Sequence, residues 1–417
     1  MRTIRELGPT EADAFVGLGV NAYPGMNSFS EQARGDLKKR IVTSMEEDAI
    51  CRFYGLFEDD QMIGGMKFFD FDLTLLTVPV QAGGIGFVCV DLLHKKEKVA
   101  KEMLTYYLHH YLERGVNMAM LYPFRVDFYK QMGFGPGTKM HQYRFLPTSL
   151  PKTGDKSRCS FLKADDLPEM VELYNRHAAK TNGMVQRTTY EQRGTFASPE
   201  TIAVGYRENG KLTGYLTFLF KRAHEENFIL NHLVVKELVA ETPEAYTGLI
   251  AFLRSQADQV QRIIYNTQDE TFHQLLTDPR NESGRMLPSV YHESHVSGVG
   301  IMYRVLDVKG IFRDLAGHDF GGQTCTVKIT VQDSFLPENH GSTVIAFDNG
   351  AATVCERDAH DVEIELDISD FSSLLVGAVP FRQLVRYGLV RVSDSAYVET
   401  LGKLFGACEK PLCTTPF

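Results

Sequence analysis

The chain has 417 residues, more than one hydrophobic core usually holds, so its length predicts two to three domains. Its hydrophobic content of 43% and charged content of 23% are typical of soluble globular proteins, and a net charge of −9 argues against a general nucleic-acid binder. The N-terminus lacks the apolar segment of a secretory signal, and no stretch has the apolar length of a membrane span. We therefore expect a cytoplasmic protein without a nucleic-acid or membrane partner.

The seven cysteines are an odd number without C-x-x-C spacing, so they predict neither a disulfide framework nor a zinc site. The histidines of residues 291–295 lack the spacing that places two imidazoles on one helical face. We therefore predict no metal site.

The first 150 residues combine two helical patterns with a run of strand patterns. Apolar periodicity predicts helices at residues 10–20 and 31–47, the first with Thr10 and Asp13 as an N-cap pair. Strands are predicted at residues 51–57, 62–71 and 78–90, and a last strand near 141–145. The first two strands flank a polar turn and are predicted to form a hairpin.

One stretch of this region, residues 86–134, has the features of a phosphate-binding site. A buried strand is followed by a loop that contains Lys95, Lys96 and Lys98. From Val99 onward the apolar residues recur at helical spacing. The start of a helix presents free N–H groups and the positive end of the helix dipole to such a loop. The pattern therefore predicts that this loop binds phosphate.

Residues 146–157 have the composition of an interdomain linker, and the pattern of the first domain then repeats in weaker form. The repeat comprises a helix at residues 167–180, strands at 202–207, 212–220 and 228–235, a loop at 236–241 and a helix capped by Thr242. Glu237, Glu241 and Glu244 stand where the first copy has lysines, and these carboxylates would repel a pyrophosphate. We therefore expect the second copy to keep the fold without the cofactor.

From about residue 300 the chain separates strands from helices, as α+β domains do. Strands are predicted at residues 301–308, 323–331, 342–347, 351–355 and 361–368, and helices at 368–375 and 396–405. The proline-containing end, residues 410–417, cannot be helical throughout, and its apolar last residue, Phe417, indicates a docked tail. The predicted domains are residues 1–150, 151–297 and 298–417.

The loop sequence Lys95-Lys96-Glu97-Lys98-Val99-Ala100 resembles motif A of the GNAT superfamily of acyl-CoA N-acetyltransferases, Gln/Arg-x-x-Gly-x-Gly/Ala, and departs from it at Lys98. With the segment FYKQMGFGP at residues 128–136, the degenerate second copy and the third domain, nearly the whole chain resembles the enhanced intracellular survival (Eis) family. The resemblance implies two tandem GNAT domains, each a mixed twisted sheet flanked by helices, and a C-terminal α+β domain similar to sterol carrier protein. It also implies that the first domain binds acetyl-CoA.

The same resemblance implies the catalytic residues. Tyr129, in a Tyr-x-x-x-Gly-Phe/Tyr-Gly motif, would be the general acid, and the C-terminal carboxylate of Phe417 would enter the first domain as the general base. Acetyl transfer to an amine needs a base for the amine proton and an acid for the departing thiolate. An α-carboxylate is a weak base in water, so its role requires burial or a water relay. The residues that would hold the thioester and the pyrophosphate are Val88, Cys89, Val90, Lys95, Lys96, Glu97, Lys98, Val99 and Ala100.

The acceptor implied by the resemblance is a primary amine, such as an aminoglycoside, a polyamine or a lysine side chain, and the expected assembly is a homo-oligomer, with a hexamer as its form. Aminoglycosides would require a broad acidic cavity, whose carboxylates the sequence does not identify. For Tyr129 the alternative is a packing role, which is common for an aromatic residue in a short helix. The alternative for the whole chain is a non-catalytic binding protein, in which Lys98 marks a decayed cofactor site and the third domain binds an apolar ligand.

Overall fold

The computed structural model describes residues 1–26 and 29–417. Its strands form two seven-stranded sheets, one five-stranded sheet and a two-stranded hairpin, with helices packed on the sheets. Two mixed sheets flanked by helices, followed by an α+β unit, confirm the predicted fold class. None of the described helices is long and apolar enough to cross a membrane.

The first sheet is built mainly from the N-terminal part of the chain. Its predicted hairpin is confirmed, and the turn consists of Asp59 and Asp60, both at positive φ, as two-residue hairpin turns require. The elements are β1 (Arg2–Glu6), α1 (Ala12–Ala22), α2 (Glu31–Glu47), β2 (Cys51–Glu58), β3 (Gln61–Leu75), β4 (Val78–Val90), α3 (Val99–Glu113), β5 (Met118–Leu121), α4 (Val126–Lys130) and β6 (Gly135–Pro136).

The start of α1 differs from the prediction. A 3₁₀ turn, Pro9–Glu11, precedes the helix. The Glu11 carboxylate accepts the free N–H of Gly8 at 2.8 Å. The prediction of Thr10 and Asp13 as an N-cap pair is therefore wrong, because a turn that begins with proline occupies the position before the helix.

The second sheet differs from the prediction at residues 236–241. Residues 237–240 pair with residues 214–217 of the neighbouring strand, so this segment is a strand and the predicted loop is wrong. Thr242 caps the following helix, as predicted. The elements are β7 (Met140–Phe145), β8 (Cys159–Phe161), α5 (Leu167–Ala178), α6 (Thr189–Gln192), α7 (Gly194–Ala197), β9 (Ile202–Glu208), β10 (Lys211–Arg222), β11 (Asn231–Ala240), α8 (Pro243–Arg254), β12 (Val260–Thr267), β13 (Met286–Leu287), β14 (Tyr291–His292) and β15 (His295–Gly298).

The third unit contains the five-stranded sheet and two short helices that the sequence patterns did not predict, Val308–Asp314 and Phe381–Tyr387. Seven residues are too few to show a clear apolar period. The elements are β16 (Met302–Val305), α9 (Val308–Asp314), β17 (Cys325–Gln332), β18 (Gly341–Asp348), β19 (Ala351–Cys355), β20 (Val362–Asp367), α10 (Ile368–Leu375), α11 (Phe381–Tyr387), β21 (Val390–Val392) and α12 (Val398–Leu404).

Two strands cross between the predicted domains. β7, predicted as the last strand of the first domain, pairs with β12 and β15 in the second sheet. β16, predicted for the third domain, pairs with β5 and β6 in the first sheet. One hydrophobic core also joins Phe71 and Leu73 of β3 to Phe312 and Phe371 of the third unit. The three units are therefore interlocked, and the boundaries at residues 150 and 297 stay a prediction.

The first sheet opens between β4 and β5. Residues 82–85 of β4 pair in parallel with residues 118–121 of β5, and beyond this segment the pairing ends. A bulge then sets Phe87 and Val88 of β4 against Met66 of β3, and Phe87 takes a left-handed φ of 50°. The bulge bends β4 away from β5 and leaves a cleft at this edge of the sheet.

Candidate active site

A cavity of about 550 Å³ opens where β4 and β5 separate. The predicted phosphate loop and the start of α3 form one of its walls. Most of the residues predicted to hold the cofactor line it, namely Val88, Val90, Lys95, Lys96, Lys98, Val99 and Ala100. The structure therefore brings together the strand, the loop and the helix start that the sequence singled out.

Lys98 stands at the position where the family motif has glycine. Its backbone takes φ 65° and ψ 12°, in the left-handed region that glycine adopts without strain, and Lys96 does the same at φ 68°. Lys98 therefore keeps the backbone angle of a glycine and adds a positive charge at the start of α3. This removes the structural reason to regard the cofactor site as decayed.

The side chains of Cys89 and Glu97 lie outside the cavity wall. The Cys89 thiol is buried and donates to the carbonyl of Gly65 at 3.4 Å. Burial raises the pKa of this thiol to about 12, so it is protonated at neutral pH. Glu97 forms an ion pair with Arg2 at 3.2 Å and lies 3.0 Å from the imidazole of His94. Both side chains are thus engaged elsewhere.

Two tyrosines lie at the same edge of the sheet. The Tyr23 hydroxyl donates to the carbonyl of Val88 at 2.7 Å, within the bulge of β4. Tyr129 is 3% exposed, and its ring packs edge-on against Phe124 and Phe128, which line the 550 Å³ cavity. Burial raises the pKa of Tyr129 above its usual value, with a smaller contribution from Tyr23, and raises the pKa of Tyr23 to about 12. Both hydroxyls are therefore protonated at neutral pH.

The C-terminal tail returns from the third unit to the first sheet as an extended strap. The N–H of Leu412 donates to the carbonyl of Asn182 at 2.7 Å. The guanidinium of Arg187 donates to the Thr415 hydroxyl at 2.8 Å, and the Tyr122 hydroxyl donates to the Thr415 carbonyl at 3.2 Å. The tail is therefore docked, as its apolar last residue predicted.

Phe417 packs against β3 and β4. Its ring centroid lies 4.9 Å from that of Phe71 and 5.1 Å from that of Tyr122. Its terminal carboxyl lies against Gly86, because a Cβ built on Gly86 would stand 2.9 Å from the carboxyl carbon. Glycine at residue 86 is thus what admits the carboxylate to the strand.

A second cavity, of about 900 Å³, adjoins the first across β4. Its walls come from α2, from second-domain segments and from the last four residues of the tail. Phe87 lines this larger cavity, and the next residue, Val88, lines the smaller one. Phe417 itself lines the larger cavity, and Gly86, against which its carboxyl lies, directly precedes Phe87 and Val88 in β4.

Two of the three glutamates that replace the lysines in the second copy, Glu237 and Glu241, form internal polar contacts. Glu237 accepts from Arg187 at 3.0 Å and from the Tyr215 hydroxyl at 2.6 Å. Glu241 pairs with Arg176 at 2.9 Å. These carboxylates stabilise the second domain, and the absence of a cofactor there stays a prediction.

Sequence reasoning missed several residues that complete the site. Tyr23 and Arg187 carried no signal, because neither belongs to a recognisable motif. Gly86 did carry one: it follows Gly83 and Gly84 in the same strand, and strand glycines often mark a close approach of another backbone. The strand sequence did not indicate that the approaching group is the carboxyl of Phe417.

Three domain families match the chain in the predicted order. An acetyltransferase (GNAT) domain family matches residues 3–137, and a second acetyltransferase (GNAT) domain family matches residues 183–305. The sterol carrier protein domain family matches residues 311–414. Both copies of the predicted repeat and the C-terminal α+β unit are thus identified.

Similar proteins match most of the chain. It is 24% identical to an uncharacterized N-acetyltransferase of Streptomyces griseus, over 88% of this chain and 90% of that one, and 23% identical to N-acetyltransferase Eis of Mycobacterium tuberculosis, over 97% of both. Solved structures of the same fold include a GCN5-related N-acetyltransferase from Anabaena variabilis, with a TM-score of 0.82 at 16% identity, and Eis1 from Mycobacterium abscessus, with 0.78 at 20%, each over the full length of both chains. With its two acetyltransferase (GNAT) domains and its sterol carrier protein domain, the chain is a GNAT N-acetyltransferase that is similar to N-acetyltransferase Eis over nearly its whole length.

Proposed function

We propose that this acetyltransferase moves the acetyl group of acetyl-CoA to a primary amine, with the Phe417 carboxylate as general base and Tyr129 as general acid. The observation that carries the proposal is the position of the terminal residue: its carboxyl lies against Gly86 of β4, and Phe417 lines the 900 Å³ cavity. A base at this position can take a proton from an amine bound in the 900 Å³ cavity, while the smaller cavity holds the acetyl donor.

The chemistry of the 550 Å³ cavity fits acetyl-CoA. Lys95, Lys96 and Lys98 bring positive charge to the start of α3, where free N–H groups favour phosphate oxygens. Phe124 and Phe128 add an apolar wall that suits the pantetheine arm. Bound acetyl-CoA supplies the activated acyl group, and the side chains of the protein hold it and move the protons.

The tail holds its carboxylate ready to accept a proton. Hydrogen bonds from Arg187 and Tyr122 fasten the tail at Thr415, and the Phe417 ring is anchored against Phe71. We expect the ammonium or amine of an acceptor to be the partner of this carboxylate. Such fixed placement matters, because an error of about 1 Å in a catalytic group reduces the rate by about 10²-fold.

Tyr129 holds the proton that the departing sulfur needs. Its burial favours the neutral phenol, so the hydroxyl is protonated when the donor binds. As negative charge develops on the sulfur, the hydroxyl can donate its proton there. The aromatic contacts with Phe124 and Phe128 restrict the ring to one orientation beside the cavity wall.

The test of this function removes the charge of the tail and keeps its shape. Cys413 permits native ligation of the pentapeptide Cys-Thr-Thr-Pro-Phe to a chain that ends at Leu412, with either a carboxylate or an amide at Phe417. We expect the amide form to lose about 10²–10⁴-fold in kcat, measured by thiol release, and to keep its Kd for acetyl-CoA within about twofold. Equal turnover by the two forms would contradict the assignment of the base.

Assembly and location are further parts of the proposal, supported by the resemblance to the Eis family. We expect the protein to be a homo-oligomer, specifically a hexamer, and to be located in the cytoplasm. Light scattering on the purified protein measures the first, and a mass of 47.0 kDa, that of one chain, would contradict it. Cell fractionation measures the second.

A further inference from the structure

The 900 Å³ cavity, called the acceptor cavity below because we propose that the amine binds there, has a cationic wall. The whole chain, by contrast, has a net charge of −9. Three acidic side chains line it, Asp48, Glu191 and Glu237, together with the terminal carboxylate. The lysines and arginines outnumber these groups and come from α2, β3, the α6 region and β11. They are Lys39, Arg40, Lys67, Arg187, Arg193 and Lys236.

Each carboxylate of this wall already has a partner or a role. Glu237 pairs with Arg187 at 2.9 Å. Glu191 accepts the N–H of Thr188 at 2.8 Å as part of a helix cap, and Asp48 accepts the N–H of Ile50 at 3.2 Å. The Phe417 carboxylate is the proposed base. Only Glu237 thus pairs with a side-chain cation, and two acidic side chains, Asp48 and Glu191, are left to meet the additional ammonium groups of a polycationic acceptor such as an aminoglycoside.

The cations of the wall are, by contrast, mostly unpaired. Arg187 and Arg193 have carboxylate partners, Glu237 and Glu47. The other four cations have no Asp or Glu oxygen within 4.0 Å in the described part of the chain. They are Lys39, Arg40, Lys67 and Lys236.

Lys67 is the most informative of these cations. Its ammonium nitrogen lies 4.9 Å from the ring centroid of Phe53 and 5.3 Å from that of Phe87, the residue that separates the two cavities. Partial burial lowers the pKa of the ammonium, the nearby Cys51 and Asp48 oppose this shift, and the charge of Arg40 adds to it. A partly buried ammonium with no Asp or Glu oxygen within 4.0 Å is stabilised by an anion that binds beside it.

We propose that the acceptor is a primary amine that also carries an anionic group, a carboxylate or a phosphate, which binds to Lys67 and Arg40 while the amine meets the Phe417 carboxylate. This inference rests on the proposed acetyltransferase function and names its substrate class. It replaces the polycationic acceptors expected from the resemblance with zwitterionic ones. The apolar wall formed by Ile50, Phe69 and Phe87 accommodates the part of the acceptor between the amine and the anion.

Matched pairs of acceptors test the inference on the full-length protein. Glucosamine 6-phosphate against glucosamine isolates a phosphate, and 6-aminohexanoate against 6-aminohexanamide isolates a carboxylate. Kanamycin and 1,6-diaminohexane represent polycationic acceptors. We expect kcat/KM, measured by thiol release, to be at least about tenfold higher for the anionic member of at least one pair than for its uncharged partner or the polycations. The pair that shows the preference identifies the anion.

Variants connect the preference to the named cations. Arg40→Gln and Lys67→Met should each raise the KM of the anionic acceptor about tenfold and change kcat/KM of its uncharged partner by less than about twofold. Lys39→Glu should have the same effect on the anionic acceptor, and because Lys39 is exposed on α2 the substitution should not affect folding. Arg34→Gln, on the same helix and outside the cavity wall, is the matched control and should change neither value.

Three results would overturn the inference. If the amines without an anionic group, or the polycationic amines, are acetylated as fast as the anionic ones or faster, the inference is wrong and the proposed acetyltransferase function still stands. If the Arg40, Lys67 and Lys39 variants still prefer anionic acceptors, the anion does not bind at these residues. A protein that binds acetyl-CoA in calorimetry and acetylates none of these amines would contradict both the inference and the proposed function.

Discussion

Replacing Gly86 with alanine should displace the terminal carboxylate. An ideal Cβ on residue 86 would lie 2.9 Å from the carboxyl carbon of Phe417, 3.1 Å from its oxygen and 3.3 Å from the ring of Phe69. Carbon atoms in ordinary contact stand about 3.5–4.0 Å apart, so the carboxyl must retreat by roughly 0.6–1.1 Å. A displacement of about 1 Å in a catalytic group corresponds to about 10²-fold in rate, or about 2.7 kcal/mol in the barrier.

The substitution should act on the rate more than on the fold. Gly86 has no positive φ, so alanine can keep its backbone, and the end of a tail moves more easily than a packed core. Thiol release gives kcat, and calorimetry should find the Kd for acetyl-CoA within about twofold. Gly298→Ala is the control, because no atom lies within 4 Å of its added Cβ. If Gly86→Ala keeps its kcat within about twofold, the carboxylate at this position is not the base.

Three other substitutions test separate parts of the structure. Tyr129→Phe should lower kcat by about 10²–10⁴-fold in the thiol-release assay, because only the proton donor is lost, and an unchanged kcat would leave Tyr129 with a packing role. Lys98→Gly should raise the free energy of unfolding in urea by about 0.5–1 kcal/mol, because it relieves left-handed strain, whereas a loss of stability would show that no strain is stored there. The fully buried Arg304 guanidinium lies 2.7 Å from the Asp333 carboxylate. Asp333→Asn removes this counter-charge and should lower the free energy of unfolding by about 3–5 kcal/mol. A change below about 1 kcal/mol would refute this reasoning.

Much of the fold could be predicted because each helix and strand carries its own periodicity. β4 and α10 have the predicted bounds, and the loop lysines of the first domain lie together on one cavity wall. The exchange of β7 and β16 between sheets could not be predicted, since a strand pattern specifies a buried face and not a partner. The error at β11 has a related cause: Glu237 is accommodated in a strand because Arg187, 50 residues away, pairs with it.

The local chemistry of this protein follows from its amino-acid sequence: a lysine-rich loop before a helix, a tyrosine in a short aromatic helix and an apolar last residue. Which of these groups meet depends on long-range packing, because the contact of Phe417 with Gly86 requires a tail held by the second domain. The charge of the acceptor cavity was likewise decided by folding. A net charge of −9 averages over the whole chain, whereas Arg40, Lys67 and Lys236 come together from three separate elements on one cavity wall.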